Sequence, residues 1–171
     1  MALIIKGHAR LFGDDVNTDY IISSARKRQT IDPMVLRAFV FESIAPEFAG
    51  SVRAGDILVA GRNFGCGSAM EIAVTVLQAA GIRGVIARSF ARSFYRNAIN
   101  NGLLVVEADT TDLRQDDMLI VGASDARISV RNAATGAAVE GAPLPSIMLR
   151  ILEHGGLVPF LSANGGFGSG V

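Results

Sequence analysis

The central third of the chain alternates between short apolar runs and longer helix-forming segments. The apolar runs predict buried strands at residues 57–60, 84–88 and 103–107. The segments between them predict helices at residues 69–80, ended by Gly81, and at residues 90–100, capped by Ser89 and ended by Gly102. The polar residues of the first helix are Glu71, Thr75 and Gln78, which share one narrow stripe, so its other faces should be buried. Because strands and helices alternate, we expect an α/β fold with a parallel core sheet.

The flanking parts of the chain carry weaker patterns. Residues 3–12 alternate loosely and predict a strand, which residues 13–17 end in a turn. Residues 18–31 lack clear periodicity and predict a long loop, after which Asp32 as N-cap and Pro33 predict a short helix over residues 33–42. The C-terminal part predicts short strands of an added smaller sheet over residues 118–140, a final helix over 145–153 and a loose tail over 163–171.

Composition narrows the classes of protein that fit. Half of the 171 residues are apolar and 19% are charged, which is typical of one globular domain with a generous core. The 16 basic and 16 acidic side chains balance without a charge run, so nucleic acid and anionic membranes are not expected partners. No apolar stretch approaches the roughly 20 residues of a transmembrane helix, and no secretory signal is evident. We therefore expect a single cytoplasmic domain over residues 1–171.

The potential metal ligands are few. Cys66 is the single cysteine, and His8 and His154 are the two histidines. An iron–sulfur cluster takes about three or four thiolates and a structural zinc ion about four ligands, so no metal site or cofactor is expected in this chain. Cys66 itself is either a reactive thiol or a small buried filler between two glycines, and the lack of a nearby histidine favours the filler.

The segment from Gly61 to Ser68, GRNFGCGS, is the first candidate for chemistry. Its glycines, with Gly67 directly before Ser68, let the backbone turn sharply and approach a ligand closely. The N-terminus of the predicted helix that follows would favour an anion. By local pattern alone a structural role is favoured, because Ser68 and Glu71 have the spacing of a capping box. The segment has neither the dinucleotide fingerprint nor the P-loop pattern.

The second candidate is the basic triplet Arg26-Lys27-Arg28. Such a triplet is usually a solvated surface. It lies in a segment predicted to be irregular, however, and loops carry binding residues more often than regular elements do. The planar guanidinium of an arginine also suits a substrate carboxylate.

Three segments together resemble one known family: NTDYII at residues 17–22, GRNFGCGS at 61–68 and SFARSFYRNAINNG at 89–102. They resemble, in order, the small-subunit family of 3-isopropylmalate dehydratase, whose fold also forms the C-terminal swivelling domain of aconitase. The similarity spans about residues 4–160. It implies a three-layer β/β/α swivelling domain that closes over a cluster-bearing large subunit, as a heterodimer or heterotetramer. It also implies that the open iron of a [4Fe–4S] cluster in that partner acts as the Lewis acid on a small hydroxy-diacid.

The resemblance also implies roles for individual residues. Ser68 matches the catalytic base, which removes a carbon-bound proton as an alkoxide, and Asp19 matches the active-site aspartate of the Thr-Asp motif. Arg26 and Arg28 fall in the loop that sets substrate specificity. Together with Gly67 of the glycine-rich loop, these are the expected substrate-binding residues.

Two positions depart from the family pattern. Ala69 and Met70 stand where the family has a second serine and a substrate-binding arginine. We therefore expect Arg26 or Arg28 to supply the missing carboxylate contact. The first hypothesis is a hydro-lyase subunit of leucine biosynthesis that acts on 3-isopropylmalate only with its large subunit. The alternatives are a dehydratase subunit for another substituted malate (2,3-dimethylmalate, citramalate or homoaconitate type) and a non-catalytic binding protein that kept the fold.

Overall fold

One mixed sheet runs through the described part of the chain, which in this computed structural model comprises residues 3–125 and 127–166. Its strands, in chain order, are β1 (Leu3–Leu11), β2 (Ile57–Ala60), β3 (Gly84–Ala87), β4 (Leu104–Glu107), β5 (Met118–Ala123), β6 (Ile128–Asn132) and β7 (Ala138–Gly141). The order across the sheet is β4-β3-β2-β1-β5-β6-β7.

Helical segments connect and cover these strands. In chain order they are α1 (Thr18–Ile21), α2 (Ser24–Lys27), α3 (Pro33–Leu36) with a 3-10 turn at Arg37–Phe39, α4 (Phe48–Ser51), α5 (Ile72–Ala79), α6 (Arg92–Asn100), α7 (Ser146–Glu153) and α8 (Leu157–Asn164). Among the described residues, no helix has both the length and the apolar character needed to cross a membrane.

Strand β1 joins two halves of different type. Its residues 9–11 pair in parallel with β2, whereas residues 3–8 pair antiparallel with β5. The parallel half continues through β3 to β4, and the antiparallel half continues through β6 to β7. The predicted α/β class is confirmed: the parallel core strands and the added antiparallel strands are the two halves of this one mixed sheet.

The parallel half forms the centre of the core. All residues of β2 and β3 are buried, as expected for strands that are covered on both faces. In α5 the apolar residues 73, 74, 76 and 77 are buried, whereas Glu71 is exposed and Thr75 and Gln78 are half-buried. The prediction of one narrow polar stripe on this helix is confirmed.

Two helices begin two or three residues later than the sequence pattern predicted. Helix α5 begins at residue 72 instead of 69, and α6 at residue 92 instead of 90. Ser89 does not cap α6, because its hydroxyl oxygen accepts a hydrogen bond from the Asn63 backbone N–H at 2.8 Å. Phe64 and Phe90 pair through their backbones as an isolated parallel bridge. This pairing between distant loops holds residues 89–91 extended, so α6 starts only after it.

The prediction of a long loop over residues 18–31 is wrong, because α1 and α2 lie within it. Each is a four-residue helix with its own N-cap: the Asn17 side chain accepts from the Asp19 N–H at 2.9 Å, and the Ser23 side chain accepts from the Arg26 N–H at 3.3 Å. Helices this short show no periodicity that a sequence pattern could reveal. The Asp32 cap is confirmed, but its helix ends at Leu36 instead of continuing as α-helix to residue 42.

The C-terminal prediction is correct for α7 and misses α8. Gly155 and Gly156 both have positive φ and separate the two helices. Helix α8 is held by Phe160, which is fully buried. The first residues of the predicted tail, Ala163 and Asn164, are therefore helical, and residues 167–171 lie outside the described residues.

Candidate functional site

The glycine-rich loop, residues 61–68, runs beside residues 13–18. Both segments follow parallel strands, β2 and β1, so they emerge at the same end of the sheet, where α/β folds bind ligands. Backbone hydrogen bonds connect them along their length: Gly61 N to Gly13 O at 3.1 Å, Asp15 N to Arg62 O at 2.8 Å, Gly65 N to Val16 O at 2.8 Å and Thr18 N to Cys66 O at 2.8 Å. The glycine-rich loop therefore has a defined path.

Phe64 anchors the middle of this loop. Its side chain is fully buried and makes an edge-to-face contact with Phe94 of α6 at 5.1 Å between ring centroids. The next residue, Gly65, has φ +80°, and a Cβ there would lie 2.2 Å from Cγ of Phe94. A glycine is required here because the chain passes directly against that ring.

Gly67 packs closely against Asn17, the N-cap residue of α1. Its φ is +94°, and a Cβ at this position would lie 2.4 Å from Oδ1 of Asn17, the atom that caps α1. Gly67 is thus explained by close packing, and its expected contact with the substrate stays a prediction.

Ser68 has a fixed backbone and an exposed side chain. Its carbonyl oxygen accepts a hydrogen bond of 2.9 Å from the hydroxyl of Thr18, whose side chain is 1% exposed. The capping-box prediction is wrong: Glu71 occupies the N-cap position of α5, without a side-chain capping bond. No group in the described chain hydrogen-bonds the Ser68 hydroxyl, so this hydroxyl is available to a ligand.

Asp19 belongs to a polar cluster with Ser24 and Lys27. Oδ1 of Asp19 accepts hydrogen bonds from the Ser24 hydroxyl at 3.0 Å and from Nζ of Lys27 at 3.2 Å. Nζ of Lys27 also contacts Sδ of Met70, two residues after Ser68. The Lys27 side chain is 16% exposed and that of Asp19 48%. The cluster therefore connects α1 and α2 to the segment that carries Ser68.

Lys27 is the cation of the basic triplet that pairs with Asp19. The sequence pattern points to the two arginines of this triplet as the substrate-binding residues and does not single out Lys27. Neighbouring residues of a helix point about 100° apart, so three consecutive cations cannot face one site. The pattern could therefore indicate that one of them faces the site, without identifying which.

Arg26 makes its contacts outside this cluster, with Glu42 and Phe39. Its Nε and Nη2 donate to the Glu42 carboxylate at 3.0 and 2.9 Å, and its guanidinium lies 3.7 Å from the centre of the Phe39 ring. The hydrogen bond from Arg26 lowers the pKa of Glu42 below its ordinary value. Because its guanidinium already donates to the Glu42 carboxylate, Arg26 connects α2 to the segment after α3. Arg28 is exposed, and the expected substrate contacts of Arg26 and Arg28 stay predictions.

Cys66 has the environment of a protonated thiol. Burial raises its pKa, and the nearby carboxylate of Asp15 raises it further. A thiol that stays protonated near neutral pH is a poor nucleophile, which favours the filler interpretation. Within residues 3–125 and 127–166, no three His, Cys, Asp or Glu side chains are grouped so that they could hold a metal ion.

Comparisons with known proteins agree on one family. Residues 42–111 match the family described as the aconitase C-terminal domain. The chain is 48% identical over 162 residues to the 3-isopropylmalate dehydratase small subunit 1 of Methanopyrus kandleri, covering 95% of each chain. It is 45% identical to the isopropylmalate/citramalate isomerase small subunit of Methanocaldococcus jannaschii, covering 94% of this chain and 95% of that one. The crystal structure of 3-isopropylmalate dehydratase from M. jannaschii superposes with a TM-score of 0.86 at 41% identity, covering 95% of this chain and 96% of that chain.

Proposed function

This chain belongs to the family of 3-isopropylmalate dehydratase small subunits, which are subunits of aconitase-type hydro-lyases, and we propose that Ser68 is the base of its reaction. One observation carries the proposal. The Ser68 hydroxyl is exposed and unused within the described chain, although its backbone is fixed by Thr18. A group that is held in position yet left open to a second surface is suited to act on a substrate bound between two subunits.

In the proposed reaction Ser68 moves one proton. As an alkoxide it takes the hydrogen from the carbon next to the carbinol carbon of the hydroxy-diacid. The C–H electron pair forms the double bond while the C–O bond breaks, and the departing hydroxide takes a proton from solvent to become water. In the reverse direction the Ser68 hydroxyl returns its proton to carbon and becomes an alkoxide, while a water molecule adds its hydroxide to the other carbon and releases its remaining proton to solvent. Proton transfer by a positioned side chain contributes about 10²–10⁴-fold to such a step.

The small-subunit names of its relatives imply a large-subunit partner. We propose that this partner holds a [4Fe–4S] cluster, because the single cysteine of this chain is fewer than the thiolates that a cluster needs. When bound there, the cluster would supply the Lewis acid that assists departure of the hydroxyl. The open position of Ser68 and Asp19 on the chain surface supports an active site that a second subunit completes.

The proposed substrate is 3-isopropylmalate, in leucine biosynthesis in the cytoplasm. Citramalate is the second candidate, because one relative at 45% identity is named for both isopropylmalate and citramalate. Met70 is compatible with both substrates, because its thioether offers no charge to a substrate carboxylate.

Reconstitution tests the proposal. The purified chain alone should be colourless and should not dehydrate 3-isopropylmalate or citramalate. Addition of the cluster-loaded large subunit should give turnover, followed by ultraviolet absorbance of the unsaturated diacid. A complex that forms without activity on either substrate would instead support a non-catalytic binding protein. An isolated chain that is brown and active would contradict the assignment of the cluster to the partner.

A further inference from the structure

We propose that a cavity between α6, β4 and the segment that leads into α7 binds an apolar α-amino acid as its zwitterion. The cavity has a volume of about 380 Å³, and none of the residues that line it takes part in the proposed reaction. This volume lies within the range of about 300–1,000 Å³ that is typical of small-molecule sites. The proposal does not depend on the role of Ser68.

Two regular elements supply most of the polar lining of this cavity. On α6, Arg92, Tyr95 and Arg96 are spaced by three and four residues, so their side chains share one face of the helix. On β4, Val105 and Glu107 are two residues apart, so they project from the same side of the strand. The charged groups of the cavity are therefore held by a helix and a strand and not by a loop.

The third wall supplies an apolar surface. The backbone N–H of Ala142 donates to the carbonyl oxygen of Glu107 at 2.8 Å, which fixes this wall against β4. Val105 and Leu144 are buried and Met148 is half-buried, and all three border the cavity. The flexible methionine side chain can adapt to aliphatic groups of different shape. The cavity thus offers an aliphatic side chain a surface that is formed before the ligand arrives.

Four polar side chains at this cavity are left without a hydrogen bond or ion pair by the other residues that the structure describes: Arg92, Tyr95, Arg96 and Glu107. Glu107 and Tyr95 are half-buried. Burial and the nearby Glu107 carboxylate raise the pKa of Tyr95, so its hydroxyl stays a neutral donor at physiological pH. A carboxylate that is partly removed from water gains from a cationic partner. Glu107 is therefore suited to a cationic group of a ligand.

The charges of the cavity select the class of ligand. The guanidinium groups of Arg92 and Arg96 suit a carboxylate. Glu107 attracts an ammonium group and repels a second carboxylate. An α-amino acid carries one carboxylate and one ammonium group on the same carbon, and its side chain is free to contact the apolar wall. A diacid lacks the ammonium group, so the substrate of the proposed reaction is not the expected ligand.

An NMR titration of the isotope-labelled full chain with L-leucine tests the proposal. We expect a Kd of about 1 mM or tighter. Two analogues should each bind about ten- to a hundredfold more weakly, the loss expected for one charge-assisted contact: 4-methylpentanoate, which lacks the ammonium group, and 3-methylbutylamine, which lacks the carboxylate. Absence of L-leucine binding would overturn the proposal, and so would equal binding of 4-methylpentanoate.

Variants separate the two charges of the ligand. Glu107→Gln should weaken L-leucine binding about ten- to a hundredfold, whereas 4-methylpentanoate should bind equally or more tightly because a repulsive contact is lost. Arg92→Gln combined with Arg96→Gln should weaken both ligands. The matched control combines Arg53→Gln and Arg131→Gln, at exposed positions that do not line the cavity, and should bind both ligands like wild type. The amide spectrum of each variant reports whether its fold is retained.

The location of the shift changes completes the test. L-leucine should shift amide signals mainly within residues 90–107 and 142–148, and changes confined to other parts of the chain would overturn the proposal. Unchanged L-leucine affinity in Glu107→Gln would do the same. Ser68→Ala should bind L-leucine like wild type. The amino-acid site and the catalytic role of Ser68 can therefore fail separately.

Discussion

The hydroxyl of Thr18 donates a hydrogen bond of 2.9 Å to the carbonyl oxygen of Ser68. Thr18 is the first residue of α1, and its side chain is buried at 1% exposure. The backbone N–H of Thr18 also donates to the carbonyl of Cys66 at 2.8 Å. One residue thus fixes the backbone on both sides of Gly67, and Thr18 is a positioning residue for Ser68.

Thr18→Val removes this bond and keeps the shape of the side chain. We expect kcat of the assembled enzyme to fall about tenfold with KM nearly unchanged, because displacement of a reacting group by a fraction of an ångström is costly. The free energy of unfolding should fall by about 1 kcal/mol for the lost hydrogen bond. Thr18→Ser keeps the hydroxyl and should recover most of kcat. Equal kcat values for the valine and serine variants would rule out the positioning role.

Ser68→Ala separates chemistry from stability. Turnover of the assembled enzyme should fall about a hundredfold or more, as expected for loss of the base. The free energy of unfolding should change by less than about 0.5 kcal/mol, because the exposed hydroxyl caps no helix. Ser162→Ala, at an exposed position of α8, is the matched control. Near-normal turnover of the Ser68 variant would leave this serine without a catalytic role.

The Arg26–Glu42 pair predicts a pH-dependent contribution to stability. Hydrogen bonding by Arg26 lowers the pKa of Glu42 from its ordinary value of 4.5. A carboxyl whose folded pKa is lowered stabilises the fold above that ordinary value, and this contribution is lost as the pH falls through the folded pKa. Glu42→Gln should therefore lower the melting temperature at pH 7 and match wild type increasingly below pH 4.5. Melting curves across pH 3–7 test this, and a difference that persists at the lowest pH would point to lost packing on Phe39 instead.

The thiol of Cys66 should react slowly at neutral pH. Burial and the carboxylate of Asp15 raise its pKa above the ordinary value of 9.0. The pH midpoint of alkylation by iodoacetamide in the native protein should therefore lie above 9.0, whereas the unfolded chain should show its midpoint near that value. Asp15→Asn should lower the native midpoint. A native midpoint below 9.0 would restore the reactive-thiol interpretation.

The sequence by itself determined the features that depend on local composition and alternation. Three short apolar runs became the buried parallel strands β2, β3 and β4, because each run is too apolar to face water on either side. Asp32 before Pro33 was sufficient to place a helix start, since a cap depends on adjacent residues only. The three segments that identified the family are likewise local, and the family assignment was correct.

The tertiary structure decided which of these local options are used. Ser68 and Glu71 fit a capping box, yet pairing of the glycine-rich loop with residues 13–18 delays α5 and leaves the Ser68 hydroxyl open. Arg26 and Lys27 are adjacent cations with the same local pattern, but Glu42 takes the first, whereas Asp19 and Met70 hold the second. Each outcome depends on partners that are distant in sequence or on the direction of a side chain from a short helix. These are properties of the folded chain that local residue patterns do not encode.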